Sequence, residues 1–155
     1  MATRIGIAGI AGRMGHLLAE EVRAAGATLV GGVDRADTVP PGAELYPDMA
    51  ALAAACDVVL EFTHASTAQP HAAALAKVGK AAWVIGTSGL STADEAAVAA
   101  AAKRIPVVYA SNFSPGVNLV LALAERMGAA LPAETYDAEI VEMHHRQKVD
   151  RKSVV

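Results

Sequence analysis

Cysteine is almost missing from this chain: Cys56 stands alone among 155 residues, which excludes an intrachain disulfide framework. It sits just before an apolar run and reads as a small core side chain rather than a nucleophile. A basic excess is missing too. The net charge is −3 and the basic residues are scattered, so no patch suggests a nucleic acid or an anionic membrane as partner. The basic run from Arg146 to Lys152 is, on charge alone, a solvated terminus. No uncharged apolar stretch reaches membrane-spanning length. Arg4 followed by apolar residues 5–11 imitates a short signal peptide, but the run is glycine-rich and leads straight into an amphipathic helix. These absences predict a cytoplasmic protein without membrane or nucleic-acid partners.

What is present points to a folded domain. Hydrophobic residues make up 54% and charged residues 19%, a balance unlike that of disordered chains. The length suits one domain, or one domain and part of another. Alanine blocks at 50–55 and 96–102 favour helices that pack closely on a sheet.

Strand and helix patterns alternate along the chain. Arg4–Ala8, Leu29–Val33, Val58–Phe62, Ala81–Ile85 and Pro106–Ala110 are short apolar runs of the kind that form buried parallel strands. Between them, Met14, Leu17, Leu18 and Val22 follow helical spacing with Gly26 placed to end the helix. Helices are also predicted over 49–55, 67–77 and from Ser91, where Asp94 completes a capping-box spacing. Val117–Leu131 is apolar on almost every face, which predicts a buried helix. This alternation predicts an α/β fold with a doubly wound parallel sheet. In such sheets ligands bind beyond the carboxyl ends of the strands. The exit loops 9–15, 63–66, 86–89 and 111–116 hold the glycines and small polar residues, so they are expected to form one site.

Gly9-Ile10-Ala11-Gly12-Arg13-Met14-Gly15 differs from the usual dinucleotide fingerprint by a one-position shift of its middle glycine. Its roles still follow: Gly9 for a tight turn, Gly12 for close approach to phosphate, Gly15 for helix–strand contact. Backbone N–H groups and the helix dipole would then face a pyrophosphate. A lone glycine triplet is weak evidence. Here it follows a strand, opens a helix and is answered by Asp34 at the end of the second strand, which favours a dinucleotide site over an ordinary turn. Asp34 suits an adenosine ribose and hence NADH; Arg35 suits a 2′-phosphate and hence NADPH, or is simply a surface arginine. Gly86-Thr87-Ser88-Gly89 and Ala110-Ser111-Asn112-Phe113 offer small polar groups for a nicotinamide and its ribose, though each alone reads as a structural loop.

His144-His145-Arg146-Gln147-Lys148 is the densest chemistry in the sequence. Adjacent histidines at a strand end point to opposite faces, so they rarely share a metal ion, and no metal site is expected. A histidine titrating near neutrality with a lysine for an anionic substrate would suit acid–base work. Spacing alone does not separate that from two exposed histidines.

With Glu61-Phe62-Thr63, Ser111-Asn112-Phe113-Ser114-Pro115-Gly116-Val117 and the run from Glu142 to Asp150, these motifs resemble the 4-hydroxy-tetrahydrodipicolinate (dihydrodipicolinate) reductase family in order and over nearly the whole chain. The resemblance implies a Rossmann-like dinucleotide domain over 1–131. After it, residues 132–155 would begin an α+β substrate-binding and oligomerisation domain with a strand at 137–143. It implies NADH or NADPH held by Gly9, Ile10, Ala11, Gly12, Arg13 and Met14, with Asp34 and Arg35 at the adenosine ribose. Phe62, Gly86, Thr87, Ser88, Ala110, Ser111, Asn112 and Phe113 would line the nicotinamide half. His144 would be the proton donor/acceptor, His145 a substrate contact and Lys148 the second proton donor. The implied substrate is a small cyclic dicarboxylate of lysine and diaminopimelate biosynthesis, and the implied assembly of the intact family is a homotetramer. Two departures stand out. Ser88 replaces a common threonine, and after Asp150 the family's Ala-Pro-Ser-Gly-Thr loop gives way to Arg151-Lys152-Ser153-Val154-Val155. The second domain is therefore expected to be incomplete and its activity impaired. The alternatives are an inactive NAD(P)H-binding remnant, an interaction module, and a CoA-binding domain; Asp34–Arg35 and the His-His-x-x-Lys run argue against the last.

Overall fold

The computed structural model describes residues 1–36, 39–110 and 112–141. They fall into two compact units, one over 1–113 and one that begins at Ser114.

The first unit is a six-stranded, wholly parallel sheet. Its strands are β1 (Arg4–Ala8), β2 (Thr28–Val33), β3 (Glu44–Leu45), β4 (Val58–Glu61), β5 (Ala82–Ile85) and β6 (Val107–Tyr109), in the order β3-β2-β1-β4-β5-β6. Its helices are α1 (Arg13–Ala24), α2 (Met49–Ala55), α3 (Ala68–Val78) and α4 (Thr92–Ala101), with a single 3₁₀ turn at Ala65–Thr67 leading into α3. The order reverses direction at β1, so the crevice between the exits of β1 and β4 is where this topology places a ligand. The five expected strands are all present. β3 was not foreseen, because two residues carry no periodicity; it pairs Glu44 and Leu45 with Gly31 and Gly32.

Side-chain alternation divides the sheet into two faces. Val59, Glu61, Trp83 and Ile85 are fully buried, and the apolar members pack with Leu52 and Cys56 of the α2 region, Leu75 of α3 and Val98 of α4. Cys56 is thus the core residue its position suggests, and burial raises its thiol pKa, which opposes reactivity. A smaller cluster holds Ile7, Ile10 and Ala19 with Leu18 and Leu29 on the α1 side.

The seat of α1 depends on Gly15. A Cβ there would lie 2.2 Å from the Gly9 carbonyl oxygen and 2.6 Å from the backbone of Ile10. Helix and strand exit therefore touch backbone to backbone, which no other residue permits.

The capping box at α4 forms as expected: the Ser91 hydroxyl accepts from the Asp94 N–H, and the Asp94 carboxylate accepts from the Ser91 N–H at 2.9 Å. Asp94 also accepts from Gln69 Nε2 at 2.7 Å, which links α4 to α3. These bonds, that from Gln69 first, lower the Asp94 pKa below its ordinary 3.8.

The second unit contains α5 (Pro115–Ala130), started by Pro115 after Ser114, whose hydroxyl accepts from the Val117 N–H. A turn follows in which Thr135 and Tyr136 N–H groups donate to the Pro132 carbonyl. Leu119, Val120, Leu121 and Leu123 are exposed, so the helix expected to be buried has no cover among the described residues of this unit. The strand expected over 137–143 does not form at 137–141. A strand needs a neighbour for its N–H and C=O groups, and no described residue supplies one. Residues 142 and 143 lie outside the described residues.

Gly15→Ala is expected to cost about 1–3 kcal/mol in urea unfolding, because the contact is with backbone and cannot be relieved by a rotamer change. Asp94 supplies a pH-dependent contribution. Its folded pKa is depressed, so this stability is present above 3.8 and is lost as the pH falls through the lower folded value. Thermal melts of Asp94→Asn should lack that acid-side loss; a wild-type slope retained in the variant would assign it elsewhere.

Candidate functional site

The glycine turn opens beside β1. Gly9 has φ +80°, a left-handed backbone that glycine tolerates, and its N–H donates to the Val33 carbonyl at 2.8 Å. The turn closes with the Gly12 N–H donating to the Gly9 carbonyl at 3.0 Å. Gly12 is the N-cap of α1 and brings no side-chain acceptor, so the positive end of the helix dipole opens on the turn. A Cβ on Gly12 would meet only the Gly9 oxygen, at 3.2 Å; the remaining space is open. Such a turn is a cradle for an anion.

Asp34 fixes that cradle. Its Oδ2 accepts from the Ala11 N–H at 2.9 Å, and its Oδ1 accepts from the N–H groups of Arg35 at 2.7 Å and Ala36 at 3.1 Å. The carboxylate therefore clasps the turn to the end of β2. Sequence reasoning gave Asp34 a ligand-facing role alone; the structure adds this internal one. Carboxylate oxygens carry further lone pairs, so both duties are compatible.

A cavity of about 730 Å³ lies at this end of the sheet. Gly9, Gly12, Asp34 and Arg35 form one side, and Pro47, Asp48 and Met49 at the start of α2 continue it. Phe62, Thr63, His64, Thr67, Pro70, His71, Ala74 and Lys77 form the other. Its size suits a small-molecule ligand. Arg35 and Lys77 bring positive charge to a space whose walls at Pro47, Met49, Pro70 and Ala74 are apolar. An anionic group and a flat apolar ring would both be accommodated.

Of the sequence-chosen residues, Gly9, Gly12, Asp34, Arg35 and Phe62 line this cavity. Ala11 meets Asp34, and Arg13 and Met14 open α1. Ile10 is fully buried in the core, so only its backbone can face a ligand. Gly86, Thr87 and Ser88 are not in its wall, though Gly86 meets Phe62 and Thr87 meets Thr63. Phe62 lies against Gly86, where a Cβ would come within 2.2 Å of the ring. The Phe113 ring is 5.8 Å from that of Phe62, at 56°. Ala110 is tied to β5 through its N–H and the Ile85 carbonyl. Ser111, His144, His145 and Lys148 lie outside the described residues.

Sequence reasoning missed a second cluster. Glu61, at the end of β4, is a fully buried carboxylate. The hydroxyl oxygens of Thr63 and Thr67 lie 2.7 and 3.0 Å from its Oε1, His71 Nδ1 lies 2.8 Å from the same atom, and Trp83 Nε1 donates to Oε2 at 2.9 Å. The Thr63 N–H donates to Thr87 Oγ1 at 3.0 Å, which joins the loops after β4 and β5. The signal for Glu61 was an acid closing an apolar strand. His71, Thr67 and Lys77 carried no local signal.

Asp34→Ala is expected to lower unfolding free energy by about 1 kcal/mol, because the half-buried Ala11 N–H loses its acceptor while the exposed N–H groups of Arg35 and Ala36 turn to water. Asp34→Asn, which keeps one acceptor, should lose less in the same urea titration.

Residues 3–113 match the family described as dihydrodipicolinate reductase, N-terminus, and residues 116–154 its C-terminus counterpart. The chain is 60% identical over 153 residues to a 4-hydroxy-tetrahydrodipicolinate reductase of Granulibacter bethesdensis, a match covering 97% of this chain and 58% of that protein. It is 59% identical over 150 residues to one from Gluconacetobacter diazotrophicus, covering 97% and 57%. This chain thus spans less than two thirds of the length of either relative. Among solved structures, a dipicolinate-bound dihydrodipicolinate reductase from Paenisporosarcina sp. TG-14 matches with TM-score 0.77 and 25% identity, over 99% of this chain and 62% of that one. With both family regions matched in order, this chain belongs to the dihydrodipicolinate reductase family.

Proposed function

We propose that the first unit binds NADH or NADPH and that this chain is the cofactor-binding part of a reductase acting on 4-hydroxy-tetrahydrodipicolinate to give tetrahydrodipicolinate. The observation that carries the reading is the uncapped glycine turn, clasped by Asp34 and opening into a cavity with Arg35 and Lys77 in its walls. The turn would receive the pyrophosphate, and Asp34 and Arg35 would meet the adenosine ribose or its 2′-phosphate. The apolar walls would hold the adenine, and Phe62 with the loops at 86–88 and 110–113 would flank the nicotinamide. GenD2 from gentamicin A biosynthesis, solved in complex with NAD, is 26% identical to this chain with TM-score 0.62 over 79% of it.

The bound dinucleotide would supply hydride to the cyclic unsaturated imine that forms as water is lost. By family resemblance His144 and Lys148 would move protons and His145 would contact the substrate, a small cyclic dicarboxylate. Residues 132–155 are read as the start of the substrate-binding and oligomerisation domain, whose intact form would assemble as a homotetramer. A cytoplasmic site of action is what the family resemblance implies; no helix among the described residues is long and apolar enough to cross a membrane.

The test titrates NADPH and NADH into the purified chain by fluorescence, then follows NADPH oxidation with freshly generated substrate. Binding with oxidation supports the full reading. Binding alone leaves this chain the cofactor half, and no binding overturns both. Arg35→Ala should raise the Kd for NADPH about tenfold more than that for NADH, the size expected for one lost charge-assisted bond. Equal losses would remove Arg35 from the 2′-phosphate. Where turnover is present, His144→Ala and Lys148→Ala should each lower kcat and leave NADPH affinity nearly unchanged.

A further inference from the structure

Glu61 touches none of the open cavity, yet it bonds to three residues that line it: Thr63, Thr67 and His71. Its surroundings are arranged for an acceptor. Trp83 Nε1, which can only donate, meets Oε2, and the threonine hydroxyls and His71 crowd Oε1. With Trp83 donating to Oε2 and the threonine hydroxyls donating to Oε1, the carboxylate is placed as an acceptor, and a His71 ring that completes the set would donate Nδ1–H. The other ring nitrogen, Nε2, makes no hydrogen bond to a described residue. No buried side-chain nitrogen or oxygen among the described residues lacks a partner, so Nε2 is not buried, and His71 is one of the residues that line the cavity.

We propose that Glu61 is a positioning residue of the dinucleotide pocket, holding His71 in the Nδ1–H form so that Nε2 offers a hydrogen-bond acceptor to the bound dinucleotide. The ligand part rests on the function proposed above; the tautomer part does not. The carboxylate acts as the orienting partner of a histidine, as carboxylates do behind metal-bound imidazoles. The bonds to Thr63 and Thr67 hold the same wall in register with the ring.

Glu61→Gln tests this with little change of shape. An amide oxygen on the Trp83 side keeps that bond. The amide NH₂ then faces two hydroxyls, which can reverse their roles, and His71, which must now accept at Nδ1 and carry its hydrogen on Nε2. The variant should therefore fold, invert the His71 tautomer and present a donor where an acceptor stood. With histidine-¹⁵N-labelled full chain in mildly alkaline buffer, nitrogen shifts should show Nδ1–H in the wild type and Nε2–H in Glu61→Gln. The Kd for NADPH should rise about tenfold, one hydrogen bond's worth. Should Glu61→Gln not fold, His71→Asn keeps a donor for Glu61 but offers nothing at the Nε2 position. It should weaken NADPH binding to the same extent while its Tm stays near that of the wild type. An Nε2–H wild type, an unchanged tautomer in Glu61→Gln, or wild-type affinity in His71→Asn would overturn the proposal. A wild-type chain that binds no dinucleotide overturns the functional reading instead, since the nitrogen shifts are read without ligand.

Discussion

The backbone contact between Gly9 and Gly15 is the constraint from which the rest of the first unit follows. Because α1 begins against the exit of β1 with no side chain between them, the helix axis is aimed at the turn and its uncapped end opens there. A larger residue would lift the helix from the strand and separate the dipole from the turn. The cavity, the reversal of strand order at β1 and the closure of the small core around Ile7, Ile10 and Ala19 all lie within reach of that contact.

Two carboxylates then stabilise the carboxyl end of the sheet by opposite means. Asp34 is partly exposed and satisfies backbone donors, so it ties the glycine turn to β2 and remains available to solvent. Glu61 is fully buried and satisfies side-chain donors from a loop, α3 and β5. Burying a carboxylate without partners would be costly, and its four close polar neighbours offset that cost. The loops after β4 and β5 are joined through the Thr63–Thr87 bond, so the cavity wall is cross-linked rather than a set of independent turns.

How much of this was legible in the sequence follows from the range of each interaction. Five strands showed as apolar runs, α1 as a period of 3.6 and the α4 cap as Ser91 and Asp94 three apart, because each is decided by near neighbours. β3 was hidden because two residues at a sheet edge have no period. The helix over 115–130 read correctly as helix and incorrectly as buried, since apolar composition states a preference and not the presence of a partner surface. His71 looked like any surface histidine ten residues beyond Glu61.

The sequence by itself determined the alternation of strand and helix, the glycine turn with its acid at the end of β2, and the family motifs. These are local patterns, imposed by backbone sterics, helix capping and the alternation of strand side chains. Only the tertiary structure decided that Asp34 also clasps the turn, that Ile10 belongs to the core, and that Glu61 gathers Thr63, Thr67, His71 and Trp83 behind the cavity wall. Those partners are distant in the chain or lie on separate elements, and they meet only once the sheet order has brought the exits of β1, β2, β4 and β5 to one end.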